Sequence, residues 1–417
     1  MITIWRKEIQ ENITTYRFFV LTGLLFVLVV VSLIVSYGDY QLRMENYNVL
    51  RPQGSEAQKI ILQPQPLSIF AKGLDANLGR LYTLSALGVE VHSSQQSINR
   101  LFSLFTVPDM LFVIKVLLAF IAILFSFDAI SGEKEMGTLK LMLASGAKRA
   151  EIVAGKLFGR FTLVFVPFAL LFLATAILVS LLPDVSASPE YWAGIGLIGG
   201  ASAVYVLLWT ATGMFASALV HRSAVAMVLG LGIWTLFVFV VPNLGVTVAQ
   251  SISDVPPGDR VEMESRLTAI QSIYETLQRV KVTHEERDFA RIMTQIHEAN
   301  SHLFEQYAPR LNKLVGLTRG IVRLSPAGAL GLFVTEVAHT GLSEDQRLKS
   351  AVWLYIDRNF KRLGGLEKGP VDQFRLEPMP IADILGGSTL ADTIVLILFC
   401  AGFIGLATWR SLTYDPR

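Results

Sequence analysis

The chain has 417 residues, of which 52% are hydrophobic and 17% are charged, and its formal net charge is +2. Soluble domains carry roughly 25% charged residues, so this composition is typical of a protein with membrane-spanning segments. Lys and Arg are scattered along the chain, which excludes a concentrated basic patch for nucleic acid. Cys400 is the single cysteine, so the chain cannot form an internal disulfide.

Six apolar windows reach, or nearly reach, the length of about 20 residues that a bilayer requires. The predicted spans are residues 18–38, 110–130, 161–183, 191–220, 223–253 and 393–409. The first window is longer than the roughly 7–15 apolar residues of a signal-peptide core, so we expect a retained helix. The fifth helix is expected to leave the membrane near Pro242. These windows predict an all-α membrane protein with six transmembrane helices.

Basic residues indicate which side of the membrane each connection faces. The connection between the second and third spans carries Lys134, Lys140, Lys148, Arg149, Lys156 and Arg160. The short connection 184–190 has no basic residue. Because short cytoplasmic loops collect Lys and Arg, we expect residues 131–160 and both termini in the cytoplasm. This arrangement is typical of a multi-pass protein of the bacterial inner membrane.

The predicted orientation divides the chain into five parts. They are an interfacial helix and first span (1–38), an extracytoplasmic segment (39–109), spans two to five with the cytoplasmic connection 131–160 (110–248), an extracytoplasmic domain (249–390), and the sixth span with a cytoplasmic tail (391–417).

Residues 249–390 are expected to be mainly helical. Met263, Leu267, Ile270 and Tyr274 recur at helical spacing, and residues 289–311 continue a similar stripe. We interpret the stripes as two amphipathic helices. Their apolar faces either pack a domain core or dock an extracytoplasmic partner as a coiled coil. The uncharged stretch 324–335 is too short to span, so we expect it along the outer membrane surface.

The connection from Ser131 to Lys156 combines charges with short helical segments. It begins with a charged turn around Glu133 and Glu135, continues as a short apolar helix that Gly146 ends, and leads through a second helix into the third span. Short charged helices at the cytoplasmic surface are suited to docking onto a soluble partner. A plain charged connector is the alternative interpretation.

This connection resembles that of the permease subunits of ATP-binding-cassette exporters of the type-two family. The family pattern is E-x-G-T-L, a small-residue turn, a basic pair and a closing G-K. The matching residues are Glu135, Gly137, Thr138, Leu139, Ser145, Lys148, Arg149, Gly155 and Lys156. The amphipathic start 4–9 resembles the interfacial helix of this family, and the large second outer segment resembles a larger-ectodomain subgroup.

The resemblance implies a coupling helix that fits a groove on a separate ATPase subunit. The residues that would form or surround this contact are Glu133, Glu135, Gly137, Thr138, Leu139, Lys148 and Arg149. It also implies a dimer, with a second copy or a related permease, that encloses the pathway of an exported substrate.

We expect no ATP site, metal site or catalytic residue in this chain. The closest approach to a phosphate-binding loop is residues 150–157, which lack the first glycine and the final hydroxyl of that motif. ATP and Mg²⁺ would therefore bind to the partner subunit. His297, Glu298 and His302 depart from the H-E-x-x-H spacing of zinc proteases.

Asp109 and Lys115, near the outer end of the second span, are candidates for the transport pathway. Ionisable groups at membrane depth are often functional, although Lys115 could also extend its flexible side chain to the interface. An ion-coupled transporter or channel that uses this pair is one alternative function. A non-transporting membrane scaffold that passes ATPase motion to an outer partner is another.

Overall fold

A computed structural model gives the architecture of the chain. It describes residues 1–50, 59–74, 81–85, 88–92, 108–138, 148–252, 308–363 and 374–413, together with single residues between these ranges, such as Met142, Met263 and Tyr274.

The described ranges contain eleven helices of six or more residues and three strands, besides the short 3₁₀ helix Pro66–Ile69. The helices are α1 (Ile2–Ile13), α2 (Tyr16–Leu50), α3 (Met110–Glu135), α4 (Arg149–Ser180), α5 (Pro189–Leu219), α6 (residues 223–252), α7 (residues 308–322), α8 (Pro326–Val337), α9 (Leu342–Leu363), α10 (Ile381–Gly386) and α11 (Ser388–Thr413). Helices α2, α3, α4, α5, α6 and α11 are long and apolar enough to cross a membrane, which confirms the predicted number of spans.

Several of these helices are longer than the apolar windows that predicted them. Helix α4 begins at Arg149 rather than near residue 161, because the second helix of the connection continues into the span without a break. Helix α11 extends back to Ser388, where the chain bends at Gly387. An apolar window locates only the part of a helix that suits the membrane, whereas the hydrogen-bonded helix can continue into water.

Helices α3 and α5 form the centre of the bundle. Tyr205 and Trp209 of α5 are almost completely buried, as is Ile114 of α3. The most apolar stretches of α2, α6 and α11 are, in contrast, mostly exposed. Only 17% of that stretch is buried within the chain in α2 and in α6, and 22% in α11. The outer faces of these three helices are therefore left for lipid or for another protein.

Two spans contain short π-helical stretches, Val113–Leu118 in α3 and Leu236–Val240 in α6. Such stretches interrupt the regular hydrogen-bond ladder, so a carbonyl can accept from a different element. The Tyr205 hydroxyl donates to the Lys115 carbonyl at 2.8 Å, and the Ser325 hydroxyl donates to the Phe237 carbonyl. Both interruptions thus join a span to its neighbour.

The two ends of the bundle differ in what they carry. We call the end with residues 1–15, 131–138 and 220–222 the loop end. The domain end, at the other termini of the spans, carries the strands and helices α7–α10.

Helix α8 lies within the domain end rather than along a membrane surface, which corrects our expectation for residues 324–335. Ala327, Ala329 and Leu330 are fully buried, and the helix packs against α5 and α11. Small residues at its start allow this close packing. The Ser325 hydroxyl caps the helix by accepting from the Ala327 and Gly328 amides.

A small antiparallel sheet between residues 59 and 92 was not predicted. Its strands are β1 (Lys59–Ile60), β2 (Leu81–Ser85) and β3 (Gly88–His92), in the order β1-β2-β3. Ile60 and Tyr82 of the sheet pack against Leu348, Val352 and Ile356 of α9. The all-α description therefore holds for the membrane bundle, whereas strands contribute to the domain end.

The amphipathic stripes predicted for residues 263–311 are only partly described. Met263, Leu267, Ile270 and Tyr274 are helical, and their side chains are 49–63% exposed. Most of the second stripe, 289–311, lies outside the described residues.

Candidate functional site

Helix α1 packs directly against α4 at the loop end, because two glycines of α4 remove side chains from the contact. A Cβ atom on Gly155 would lie 2.9 Å from Ile4 Cβ, and one on Gly159 would lie 2.7 Å from Glu8 Cβ. Side chains cannot approach so closely without displacement, so this packing requires glycine at both positions.

Glu8 of α1 is buried between two cations of α4. Its Oε1 accepts from Lys156 Nζ at 2.6 Å, and its Oε2 accepts from Arg160 Nε at 2.8 Å. Glu8 is 4% exposed and Lys156 is 2% exposed. At this depth a charge is tolerated only when its partners neutralise it, so the three side chains depend on one another.

The same cations reach α3. Lys156 Nζ lies 3.0 Å from Glu133 Oε1, and Arg160 Nη1 lies 2.8 Å from Asp128 Oδ1. Arg17 of α2 completes the group through Asp128 Oδ2 at 2.9 Å. We call these six residues the loop-end charge network: Glu8, Arg17, Asp128, Glu133, Lys156 and Arg160. With three carboxylates and three cations, the network is electrically balanced and joins four helices.

The start of the predicted coupling motif is shaped around Glu133. Its carboxylate also accepts from the Thr138 hydroxyl. Between them, Gly137 has φ +70°, in the left-handed region that favours glycine just after a helix. The chain therefore turns back on itself directly after Glu135. Leu139 and residues 143–147 lie outside the described residues.

Glu135 and Lys134 hold the ends of two other spans. Glu135 Oε1 accepts from the Ser223 amide at 3.0 Å and Oε2 accepts from the Ser223 hydroxyl at 2.9 Å, so Glu135 caps the start of α6. A carboxylate is favourable there because the helix N-terminus is electropositive. Lys134 Nζ donates to the Ala218 carbonyl at 2.7 Å and to the Val220 carbonyl at 3.1 Å, at the end of α5.

The basic pair of the motif lies where α4 begins. Lys148 is exposed and immediately precedes the helix. Arg149 Nη1 donates to the Leu412 carbonyl at 2.8 Å, near the end of α11. Residues 131–138 and 148–160, which belong to α3, α4 and the chain beside them, thus contact α1, α5, α6 and α11, and Arg160 reaches Arg17 of α2 only through Asp128.

Glu8 was not among our predicted site residues, although its carboxylate lies between Lys156 and Arg160 at the centre of the site. A sequence signal for Glu8 does exist. Gly155-Lys156 and Gly159-Arg160 are spaced four residues apart, which places two glycines side by side on one helix face and two cations on the adjacent face. The two glycines leave a groove on the helix surface. A second helix that carries one carboxylate can pack into this groove and place the carboxylate beside the two cations.

The pathway candidates Asp109 and Lys115 form no ion pair within the described part of the chain. Asp109 instead caps α3, accepting from the Phe112 amide at 2.8 Å, and also accepts from the Lys72 amide at 2.9 Å. Lys115 belongs to the π-helical stretch of α3. Among the described residues, no group of three or more His, Cys, Asp and Glu side chains is arranged to hold a metal ion.

Comparison with known proteins identifies the family. A curated relative from Stutzerimonas stutzeri, named as a probable ABC transporter permease protein NosY, is 33% identical over 125 residues. That alignment covers 30% of this chain and 45% of the relative, so the chain matches less than half of the relative's length. The family described as ABC-2 family transporter protein matches residues 2–415, which is nearly the whole chain. The chain therefore belongs to the ABC-2 transporter family, as the motif in residues 131–156 predicted.

Proposed function

We propose that this chain is the membrane-spanning permease subunit of an ATP-driven ABC exporter in a bacterial inner membrane. The observation that carries the proposal is the linkage of residues 131–138 and 148–160 to α1, α5, α6 and α11 through hydrogen bonds and ion pairs, extended to α2 through Asp128. A cytoplasmic contact at this connection would act on the whole bundle. Family membership and six apolar helices support the same function.

The energy source would be a separate ATPase subunit that binds ATP and Mg²⁺. Its contact would be the turn after Glu135, where Gly137 and Thr138 shape the chain, together with the exposed Lys148. The basic residues of this connection favour a cytoplasmic location, where such a subunit would reside.

Coupling requires ATP to favour one arrangement of the spans over another, because a ligand shifts an equilibrium only by its differential affinity for the two states. Glu135 supplies a direct mechanical link, since its carboxylate holds the start of α6. Lys134 makes the equivalent link to the end of α5. Displacement of residues 131–138 by the ATPase would then move the α5–α6 hairpin relative to the part of α3 that precedes residue 127.

A dimer follows from the same proposal. Helices α2, α6 and α11 expose apolar faces along most of their length, with Val228 of α6 65% exposed and Phe19 of α2 63% exposed. A second copy or a related permease would cover part of this surface and enclose the pathway, and lipid would cover the rest. The domain end, with the exposed side chains of Met263, Leu267, Ile270 and Tyr274, would meet an extracytoplasmic partner.

The test uses the permease and ATPase reconstituted in nanodiscs. Spin labels are placed on a Val228→Cys variant in a Cys400→Ala background, and distances between copies are measured with and without ATP and vanadate. We expect the wild-type distance to shift on nucleotide trapping. Glu135→Ala should assemble with the ATPase but lose most of that shift, because the link to α6 is cut.

Glu11→Ala is the matched control, since Glu11 lies at the same end and pairs only with exposed Lys7 in the described structure. In Glu11→Ala, the distance between the spin labels should shift on nucleotide trapping as it does in the wild type. A distance shift in Glu135→Ala as large as that of the wild type would overturn the role of Glu135. Failure of the wild-type chain to bind any ATPase would overturn the proposed function.

A further inference from the structure

A pocket of about 360 Å³ opens at the domain end, away from the loop-end charge network. Its volume lies within the range of ligand-binding pockets, roughly 300–1,000 Å³. One wall is the end of α2, at Asn46 and Tyr47, and two non-helical segments, 61–65 and 374–378, form the sides. A helix rises about 1.5 Å per residue, so Asn46 lies about 12 Å beyond residue 38, where the first predicted span ends. The pocket therefore faces water rather than lipid.

Side chains alternate between two sides in the second of these segments. The Phe374 ring meets the Tyr355 ring of α9 edge-on, with 5.5 Å between their centroids, and Leu376 packs into the same apolar cluster. Arg375 and Glu377 are exposed. This alternation is that of an extended chain, in which residues two positions apart share a side. Arg375 and Glu377 therefore lie next to each other in the pocket wall, with Cα atoms about 7 Å apart.

Helix α9 fixes the backbone that carries these two charges. Arg347 of α9 donates to the Glu377 carbonyl, and its own charge is neutralised by Glu344 at 2.6 Å. Pro378 follows Glu377 and biases that residue towards an extended backbone. Because the backbone is held in place before a ligand arrives, less conformational freedom is lost on binding.

The charges of Arg375 and Glu377 are available to a ligand. Of the other charged side chains in the wall, Arg43 is neutralised by Asp39 at 3.0 Å, and Glu344 by the ion pair just described. Arg375 and Glu377 form no ion pair with each other or with another residue in the described part of the chain. A ligand with a single charge would meet one attractive and one repulsive wall charge, whereas a zwitterion meets two attractive ones.

The rest of the wall combines apolar surface with side-chain amides. Tyr47 and Ile61 are half-buried and present apolar surface to the pocket. Asn46 and Gln63 carry amides, each of which offers a donor and an acceptor. An apolar or aromatic group of a ligand can pack on Tyr47, and the amides can complete the hydrogen bonds of its charged groups.

We propose that this pocket binds a small, soluble zwitterion of the α-amino-acid type with an apolar side chain. Arg375 pairs with the carboxylate, whose two oxygens match the fork of a guanidinium group. Glu377 pairs with the ammonium group, and Tyr47 contacts the side chain. The distance of the pocket from the membrane favours a dissolved ligand over a lipid head group with the same two charges. The inference stands apart from the proposed function, because binding is measured on this chain alone.

Three probes with a common aromatic body test the proposal. They are L-phenylalanine, 3-phenylpropionate, which lacks the ammonium group, and phenethylamine, which lacks the carboxylate. Each is titrated by calorimetry into the full purified chain in nanodiscs, and empty nanodiscs report the heat of binding to lipid. We expect saturable binding of phenylalanine and binding of the other two that is weaker by about tenfold or more, the loss expected for a hydrogen bond between charged groups.

Two variants assign each charge of the ligand to its partner. Arg375→Gln should weaken the binding of phenylalanine and 3-phenylpropionate but not of phenethylamine. Glu377→Gln should weaken the binding of phenylalanine and phenethylamine but not of 3-phenylpropionate. Because both side chains are exposed, the melting temperature should stay that of the wild type, which separates lost binding from unfolding.

Glu45→Gln on α2 and Arg358→Gln on α9 are the matched controls, since both residues are exposed and lie outside the pocket wall. Both should bind phenylalanine as the wild type does. Absence of saturation with phenylalanine in the wild type, equal affinities for the three probes, or unchanged phenylalanine affinity in Arg375→Gln and Glu377→Gln would overturn the proposal.

Two further ligands test the chemical class. Glycine carries both charges without a side chain, so it should bind more weakly than phenylalanine, and equal affinity would overturn the assignment to an apolar side chain. Phosphoethanolamine carries the charges of a zwitterionic lipid head group. Tighter binding of phosphoethanolamine than of phenylalanine would overturn the assignment to an amino acid and indicate a lipid head group instead.

Discussion

Lys156 and Glu8 are separated by 148 positions in the chain, yet Nζ of Lys156 lies 2.6 Å from Oε1 of Glu8 at the centre of the loop-end charge network. This contact joins α1 to α4, the helix that leads out of the connection between the second and third spans. It also explains why a short amphipathic helix at the start of the chain is held against the bundle rather than only resting on a membrane surface.

Lys156→Met should destabilise the protein strongly. The substitution leaves Glu8 and Glu133 without their shared cation, and removal of one partner of a buried pair typically costs about 3–5 kcal/mol. Lys7→Met is the control, because Lys7 is exposed and its contact with Glu11 is 3.5 Å. Thermal unfolding in detergent should separate the two variants clearly. Equal melting temperatures would show that the network contributes little stability.

Gly159→Ala should also be destabilising, although alanine favours a helix over glycine by about 1 kcal/mol. The added methyl group would lie 2.7 Å from Glu8 Cβ and would push α1 away from α4. Gly196→Ala in α5 provides the comparison, since no side chain or other element of the described residues lies within 4 Å of the new methyl group. We expect a lower melting temperature for the first variant and an equal or higher one for the second. The reverse order would contradict the packing of α1 on α4.

Tyr205→Phe should weaken the centre of the bundle. The buried hydroxyl donates to the Lys115 carbonyl at 2.8 Å, within the π-helical stretch of α3. Loss of the hydroxyl leaves a buried acceptor without its donor, at a cost of roughly 1–3 kcal/mol. Tyr37→Phe, which removes an exposed contact with Gln41, should have little effect on unfolding. If both variants melt alike, the π-helical carbonyl does not need this donor.

The stability of the domain end should decrease in mild acid. Burial lowers the pKa of His339 below its ordinary 6.5, Glu190 raises it and Arg347 lowers it. The unfolded chain therefore takes up this proton more readily, and stability falls as the pH drops below about 6.5. Between about pH 7.5 and 5.5, the melting temperature of the wild type should fall by more than that of His339→Asn. Parallel profiles would show that His339 does not contribute to the pH dependence.

The spans were predictable because an apolar window is a local property of the sequence. The motif around Glu135 and Gly137 was also recognisable, and it identified the family. The partners of these residues were not predictable. Glu8 meets Lys156, and Ser223 meets Glu135, only after helices distant in sequence have packed together.

The short helix α8 shows the same limit. Its uncharged sequence suits a membrane surface and a buried position equally well. The small residues of α8 allow it to be buried only because α5 and α11 pack against it. The sheet between residues 59 and 92 has strands of two and five residues, at or below the lower end of the length that gives a clear alternating pattern.

The central claim is that the connection 131–160 is the cytoplasmic contact for an ATPase, and site-specific cross-linking from Lys148 tests it most directly. In a Cys400→Ala background, Lys148→Cys presents one exposed thiol, and Lys349→Cys presents one at the domain end. The account predicts that only the first thiol forms a cross-link to a co-expressed ATPase subunit in inverted membrane vesicles. Labelling of position 148 by an impermeant reagent from outside intact spheroplasts, or a cross-link to the ATPase from position 349 instead, would contradict the account.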